Sequence, residues 1–189
     1  MSRIVFLVEE YSMKLLLEGL LPRFYPDLQF LCVSHEGKQD LEKSVPRKLR
    51  AWREPGVRFV IVRDNDGGDC LAIKGRLLGI CGNAGRPDSV VRLACQELEA
   101  WYLGDPAAMS KAFSEEKLNR IGATARFRDP DSIQRPSEEL RKLVPTFQKT
   151  IGARRMASCL VRERNTSRSF HALLQSVDRF VDMPSDIGK

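Results

Sequence analysis

At 189 residues, with 42% hydrophobic and 30% charged positions, the chain is long enough to bury a full core and falls within the size of one ordinary domain. Its longest apolar runs, residues 58–62 and 15–17, fall far short of a membrane span, and Glu9 and Glu10 interrupt the N-terminal apolar run where a secretory leader would carry a cleavage pattern, so a cytoplasmic protein is expected. The formal charge of +6 is uneven: residues 117–168 hold thirteen Lys/Arg against five Asp/Glu, which suits either a solvated helical surface or a polyanionic partner.

Residues 3–8 (RIVFLV) read as a strand, followed by an acidic turn and a helix over 12–24 with leucines at helical spacing. A second strand over 28–34 leads into a helix over 38–52, where Leu41, Val45 and Leu49 keep helical spacing across Pro46. Residues 58–63 (RFVIVR) form the clearest strand, a continuous apolar run of the kind that parallel sheets bury on both faces. It runs directly into Asp64-Asn-Asp-Gly-Gly-Asp69, and a helical pattern over 70–80 then ends at Gly82 and the Asn83-Ala-Gly85 turn. Residues 89–95 supply a fourth strand. This alternation predicts an α/β fold, a four-stranded parallel sheet with right-handed crossovers and helices on both faces.

After Trp101 the character changes. Pro106, Pro130, Pro136 and Pro145 punctuate short helical segments without a further strand, and residues 113–135, rich in Arg, Asp and turn formers, read as a mobile loop. The expected organisation is an α/β core over 1–105 and a helical, basic extension over 106–189, packed on it as one unit.

The chemistry-bearing residues gather at predicted strand ends. In open parallel sheets the ligand crevice lies beyond the carboxyl ends of the strands, where neighbouring crossovers leave toward opposite faces. Glu9 ends the first strand and Asp64 the third, so adjacent strands would bring the two carboxylates together. Asp66 and Asp69 add oxygens within one turn, and Gly67-Gly68 lets the backbone bend close to a ligand. Such carboxylates repel one another, and a hard divalent cation, Mg²⁺ or alternatively Mn²⁺, relieves the repulsion. Asp69 is equally suited to capping the helix that starts at Cys70.

Glu97 and Glu99 follow the fourth strand and, if helical, lie about 200° apart, so both cannot point inward; Glu97 is taken as the further metal ligand. Lys38, in His35-Glu-Gly-Lys38, stands after the second strand as a catalytic contact to phosphate, in a motif too short for a P-loop. His35 is expected to satisfy local hydrogen bonds and Trp101 to pack. With His171 the only other histidine, a histidine-rich zinc or iron site is not expected. The five cysteines, Cys32, Cys70, Cys81, Cys95 and Cys159, show no C-x-x-C spacing, which argues against a disulfide framework or structural zinc; Cys70 is expected to pack, reduced, under a helix. Arg154, Arg155, Arg162, Arg164 and Arg168 form the densest cationic group, a candidate nucleic-acid contact or a surface that grips another protein.

Phe6-Leu-Val-Glu9 and the later strand ending in Asp64-x-Asp66, with strand and helix alternating between them, resemble the Toprim domain of topoisomerases, bacterial primases and overcoming-lysogenization-defect nucleases. With His35-Glu-Gly-Lys38, Arg63-Asp-Asn-Asp-Gly-Gly-Asp-Cys70 and Glu97-Leu-Glu-Ala-Trp101, the closer resemblance is to an uncharacterised bacterial Toprim-like family. It covers residues 3–105, and beyond them Gly152-Ala153 and Asn165-x-Ser167-x-Ser169-Phe170.

The resemblance implies that Glu9 is the general acid or base, that Asp64 and Asp66 coordinate Mg²⁺, and that the chain hydrolyses or transfers phosphodiesters of nucleic acid, DNA rather than RNA. The resemblance also implies an ATPase partner, which would be a separate protein because this chain carries no Walker motif. The chain departs from the pattern at Glu10, where Toprim domains carry glycine; Glu10 reads as an extra ligand or an outward-facing residue. Strand passage would need a nucleophilic tyrosine and a large gate, which 189 residues with Tyr11, Tyr25 and Tyr102 do not offer. The competing readings are a non-catalytic subunit that binds nucleic acid or protein and, more weakly, a receiver-like phosphoacceptor, for which a fifth strand ending in lysine is missing.

Overall fold

A strand that is apolar at every position is stable only when both its faces are covered. The computed structural model describes residues 3–182 and places β1 (Ile4–Val8), which is of this kind, in one all-parallel sheet with β2 (Phe30–Ser34), β3 (Arg58–Asp64) and β4 (Val90–Ala94). Their order is β2-β1-β3-β4. Because side chains alternate along a strand, Phe6, Val8, Val60 and Val62 enter one apolar cluster while Val5, Leu7, Phe59 and Ile61 enter another on the opposite face.

Helices α1 (Tyr11–Phe24), α2 (Lys38–Ala51) and α3 (Cys70–Asn83) connect the strands. Leu16 and Leu20 of α1 join the first cluster, whereas Leu41 and Val45 of α2 and Leu77 of α3 join the second. The α/β sheet expected from the sequence is therefore present, with α2 continuing through Pro46. Helix α3 outruns its expected end: Gly82 lies inside it, and the chain turns at Gly85, whose φ is 78°.

Five helices follow β4: α4 (Glu99–Leu103), α5 (Pro106–Phe113), α6 (Pro136–Leu143), α7 (Lys149–Cys159) and α8 (Arg168–Asp182). Met156 of α7 and Phe170 and Leu173 of α8 share the first cluster with α1, so the C-terminal half is built into the core on that face. Residues 113–135 differ from expectation. They contain the 3-10 helices Glu116–Ala123, Ala125–Phe127 and Pro130–Ser132 and bury Leu118, Ile121, Phe127, Pro130 and Ile133. These anchors recur three residues apart, the 3-10 repeat, which a search for 3.6-residue periodicity passes over. Among the described residues, no helix is long and apolar enough to cross a membrane.

Candidate metal centre

Strands β1 and β3 are neighbours, with Val8 beside Val62. Helix α1 leaves β1 toward one face of the sheet and α3 leaves β3 toward the other, so the carboxyl ends of these two strands are the point where the connections diverge, the place where open parallel sheets bind ligands. Glu9 and Asp64 occupy it. They meet, and both are buried: the Asp64 backbone N–H donates to Glu9 Oε2 at 3.1 Å.

The turn after β3 is shaped by Asp66 and Gly67, both in the left-handed region with φ of 48° and 75°. It is pinned to the neighbouring strand end by Asn65 N–H donating to Ala94 O and Asp66 N–H to Gln96 O, each at 3.1 Å. This presents Asp66 at the surface, where Lys38 Nζ reaches its Oδ2 at 3.0 Å. Lys38 thus stands beside a carboxylate of the site.

Asp69 is turned the other way. Its Oδ1 accepts from Leu71 and Ala72 N–H at 2.7 and 3.0 Å, the capping arrangement at the start of α3, which directs it away from the candidate ligand set. The half-buried Cys70 thiol accepts from Asn65 Nδ2 at 3.0 Å and lies 3.8 Å from Cys95 Sγ. His35 Nδ1 donates to Val8 O at 2.9 Å, and burial lowers its basicity.

Arg63 was not anticipated, because an arginine at the end of an apolar strand reads as a solvated terminus. It is buried, with its guanidinium 2.8 Å from Glu42, 3.7 Å from Glu9 and 3.9 Å from Asp66, and it donates to Asp64 O at 2.8 Å. It ties the two strand ends together. Burial raises the Glu9 carboxyl above its ordinary 4.5, against the lowering pull of Arg63 and the Asp64 amide.

The inner wall comes from α4. Glu99 is 1% exposed, and burial pushes its carboxyl up to about 7. Asp64 is raised well above the usual carboxylate range, first by burial and then by the charges of Glu99 and Glu9. Asp64 Oδ1, Glu99 Oε2 and the Tyr102 hydroxyl are buried without a hydrogen-bond partner. Such oxygens are costly to leave unsatisfied, by about 1–3 kcal/mol each, and they mark where a ligand would be held.

Glu97, chosen from the sequence, instead turns to α6, accepting Ser137 N–H at 2.7 Å. The inward residue is Glu99, the first of α4, whose charge acts on Asp64; Glu97 precedes the helix, so the two are parted by the turn into α4 and not by the helical separation the sequence suggested. Trp101 packs, fully buried, with its indole N–H donating to Ser169 Oγ at 2.8 Å.

Hard carboxylate oxygens with orphaned, buried members fit a hard divalent cation: Glu9, Asp64, Asp66 and Glu99 would hold it. Among the described residues no three acidic, His or Cys groups are already drawn into a closed ligand set, so the cation would have to draw them inward. Asp66, exposed and held by Lys38, has the freedom to swing.

The predicted arginine group divides. Arg162 is paired with Asp178 and Tyr25, Arg164 with Asp105 at 3.3 Å, and Arg168 with Asp129 at 2.9 Å. Arg154 and Arg155 are exposed on α7, and among the described residues neither enters an ion pair. Glu10, expected as either a ligand or a surface residue, is half-buried at the start of α1 and binds Lys149 Nζ at 2.9 and 3.0 Å. Its φ of −129° is ordinary extended backbone, so the position does not require the glycine of the Toprim pattern.

The chain belongs to the family described as Domain of unknown function (DUF4276), whose model matches residues 8–178. No curated protein and no solved structure matches it.

Proposed function

We propose that this member of the DUF4276 family is a Mg²⁺-dependent, nuclease-like protein that processes phosphodiesters of nucleic acid, DNA in preference to RNA. One observation carries the reading. Two buried carboxylate oxygens without partners, on Asp64 and Glu99, stand beside Glu9 at the point where the crossovers from β1 and β3 diverge. The resemblance of Val8-Glu9 and Asp64-x-Asp66 to Toprim motifs supports the same chemistry.

Glu9, Asp64, Asp66 and Glu99 would hold Mg²⁺ or Mn²⁺, which would neutralise phosphate charge as it builds up in the transition state. Glu9, raised above its ordinary value yet fixed by Arg63 and the Asp64 amide, is the group suited to take a proton from an attacking oxygen or return one to a leaving oxygen. Arg63 holds Glu9 in place, and Lys38, beside Asp66, supplies a cation at the rim. A separate ATPase partner belongs to the same proposal, on the strength of the resemblance.

The test is cleavage of single-stranded, duplex and supercoiled DNA and of RNA with Mg²⁺ or Mn²⁺, alongside Glu9→Gln and Asp64→Asn. Metal-dependent cleavage absent from both variants is the expected result. A second reading, a non-catalytic binding subunit, is favoured by the ion pairs that already neutralise Asp66 and Glu10. Salt-sensitive nucleic-acid binding unchanged in both variants, without cleavage of any substrate, would replace the first reading with this one.

A further inference from the structure

Helices α1 and α7 are distant in sequence yet run side by side in the same direction. At their N-terminal ends Glu10 meets Lys149, and near their C-terminal ends Gly19 meets Ala157. The approach at Gly19 is so close that a Cβ there would stand 2.7 Å from Ala157 Cβ. Arg23 then closes over the end of α7, donating to Ala157 O at 2.5 Å and Leu160 O at 3.1 Å. The pairing therefore sets the register of α7 on α1, and that register delivers the first residue of α7, Lys149, to the carboxyl edge of the sheet.

Once there, the ammonium answers to more than Glu10. Burial works against its charge, but Glu10, Glu99 and Asp64 outweigh this and hold it protonated. It stands close enough to Glu99 and Asp64, two of the candidate metal ligands, for their charges to act on it. Of the five arginines that stand out in the sequence, Arg162, Arg164 and Arg168 are paired elsewhere, and Arg154 and Arg155 lie further along α7, exposed.

We propose that Lys149 is a substrate-contacting residue, the ammonium that binds a non-bridging phosphodiester oxygen of a nucleic-acid strand at this site. The inference rests on the cation-dependent reading above. The argument is one of charge balance. Glu9, Glu10, Asp64, Asp66 and Glu99 face Lys38, Arg63 and Lys149. A divalent cation entering this group neutralises Asp64 and Glu99, two of the charges that favour the ammonium, while Glu10 still holds it, and the ammonium and the metal then repel each other. An anion placed between them removes the repulsion, and a phosphodiester oxygen suits both partners. Until the strand arrives, Glu10 keeps the ammonium in place.

The test compares the full chain with Lys149→Gln and Lys149→Arg, each first matched to wild type by thermal melting. Mn²⁺ binding is measured by electron paramagnetic resonance, and binding of a short fluorescein-labelled single-stranded DNA by anisotropy, with and without Ca²⁺ to limit cleavage. Without DNA, Lys149→Gln is expected to bind Mn²⁺ about threefold or more tightly, because a repelling charge is gone. Its Ca²⁺-dependent DNA affinity is expected to fall about tenfold or more, the loss of a charged hydrogen bond, with Lys149→Arg restoring most of it.

Tighter Mn²⁺ binding with unchanged DNA affinity would make Lys149 a counter-ion alone and overturn this inference while leaving the metal site intact. A wild-type chain that binds neither Mn²⁺ nor the DNA would remove the metal-site reading and this inference together.

Discussion

The carboxyl edge of the sheet and the junction of α7 with α8 are both dense in charge, yet they treat it in opposite ways. At the junction every carboxylate oxygen of Asp105 is engaged: it accepts Ala108 N–H at 3.0 Å, Val161 N–H at 2.9 Å and the Arg164 guanidinium. Arg162 and Asp178 close on each other in the same way. At the sheet edge Asp64 and Glu99 keep an oxygen each without a partner, and the acids crowd one another. Charge density in a sequence therefore says little about availability. The junction uses its charges to hold the chain together, and the edge leaves some open for a ligand.

The largest effect is expected from breaking the satisfied region. Asp105→Ala removes the cap of α5 and leaves the Val161 amide without its acceptor, which should lower unfolding free energy by about 3 kcal/mol in urea denaturation. Asp64→Asn should act in the opposite sense. With repulsion among Glu9, Asp64 and Glu99 reduced, the cation-free protein should gain about 1 kcal/mol at pH 8 and lose any rise in melting temperature on adding Mn²⁺. An Asp64→Asn chain less stable than wild type in the absence of cation would show that the edge is not strained by its own charge.

Titration sharpens the same contrast. Glu99 moves from an ordinary 4.5 to about 7 on folding, and Asp64 moves in the same direction, so between these values the folded chain binds more protons than the unfolded one. Stability of the cation-free protein should accordingly fall as pH rises through 4.5 to about 7. Mn²⁺ affinity should rise over that range, because protons and metal compete for the same oxygens; urea denaturation reads the first trend and isothermal titration with Mn²⁺ the second, each at several pH values. The smallest expected effect is that of Arg154→Gln with Arg155→Gln. Stability should change by less than about 0.5 kcal/mol, while the salt dependence of DNA binding should weaken by up to about two counterions. An unchanged slope would assign that face of α7 another role.

The legible parts of the fold were those in which a local pattern carries its own energy. The apolar runs of β1 and β3 call for a sheet covered on both faces, and acids placed directly after them end up at its carboxyl edge. The stretch from Leu118 to Ile133 was illegible as structure because its anchors follow a period of three. Glu97 and Glu99 could be recognised as alternatives, but which one faces inward depended on where α4 begins, since Glu97 lies before the helix and only Glu99 within it. Arg63 carried little local sign of burial, since of its counter-charges only Asp66, three residues on, is local, and Glu9 and the closest, Glu42, come from separate places in the chain.

By itself, the sequence determined a parallel α/β sheet and the identity of the acids Glu9, Asp64 and Asp66 at its strand ends, because strand periodicity and the side-chain alternation of a sheet are properties of a few consecutive residues. Only the tertiary structure decided which charges are left open. It turned Glu99 inward and Glu97 toward α6, engaged Asp69 as a cap, neutralised three of five arginines, and brought Lys149 to Glu10 across 139 residues. The reason is physical: whether a charge is paired depends on which other element packs against it, and here that is decided by a close contact such as Gly19 against Ala157, far from the charge itself.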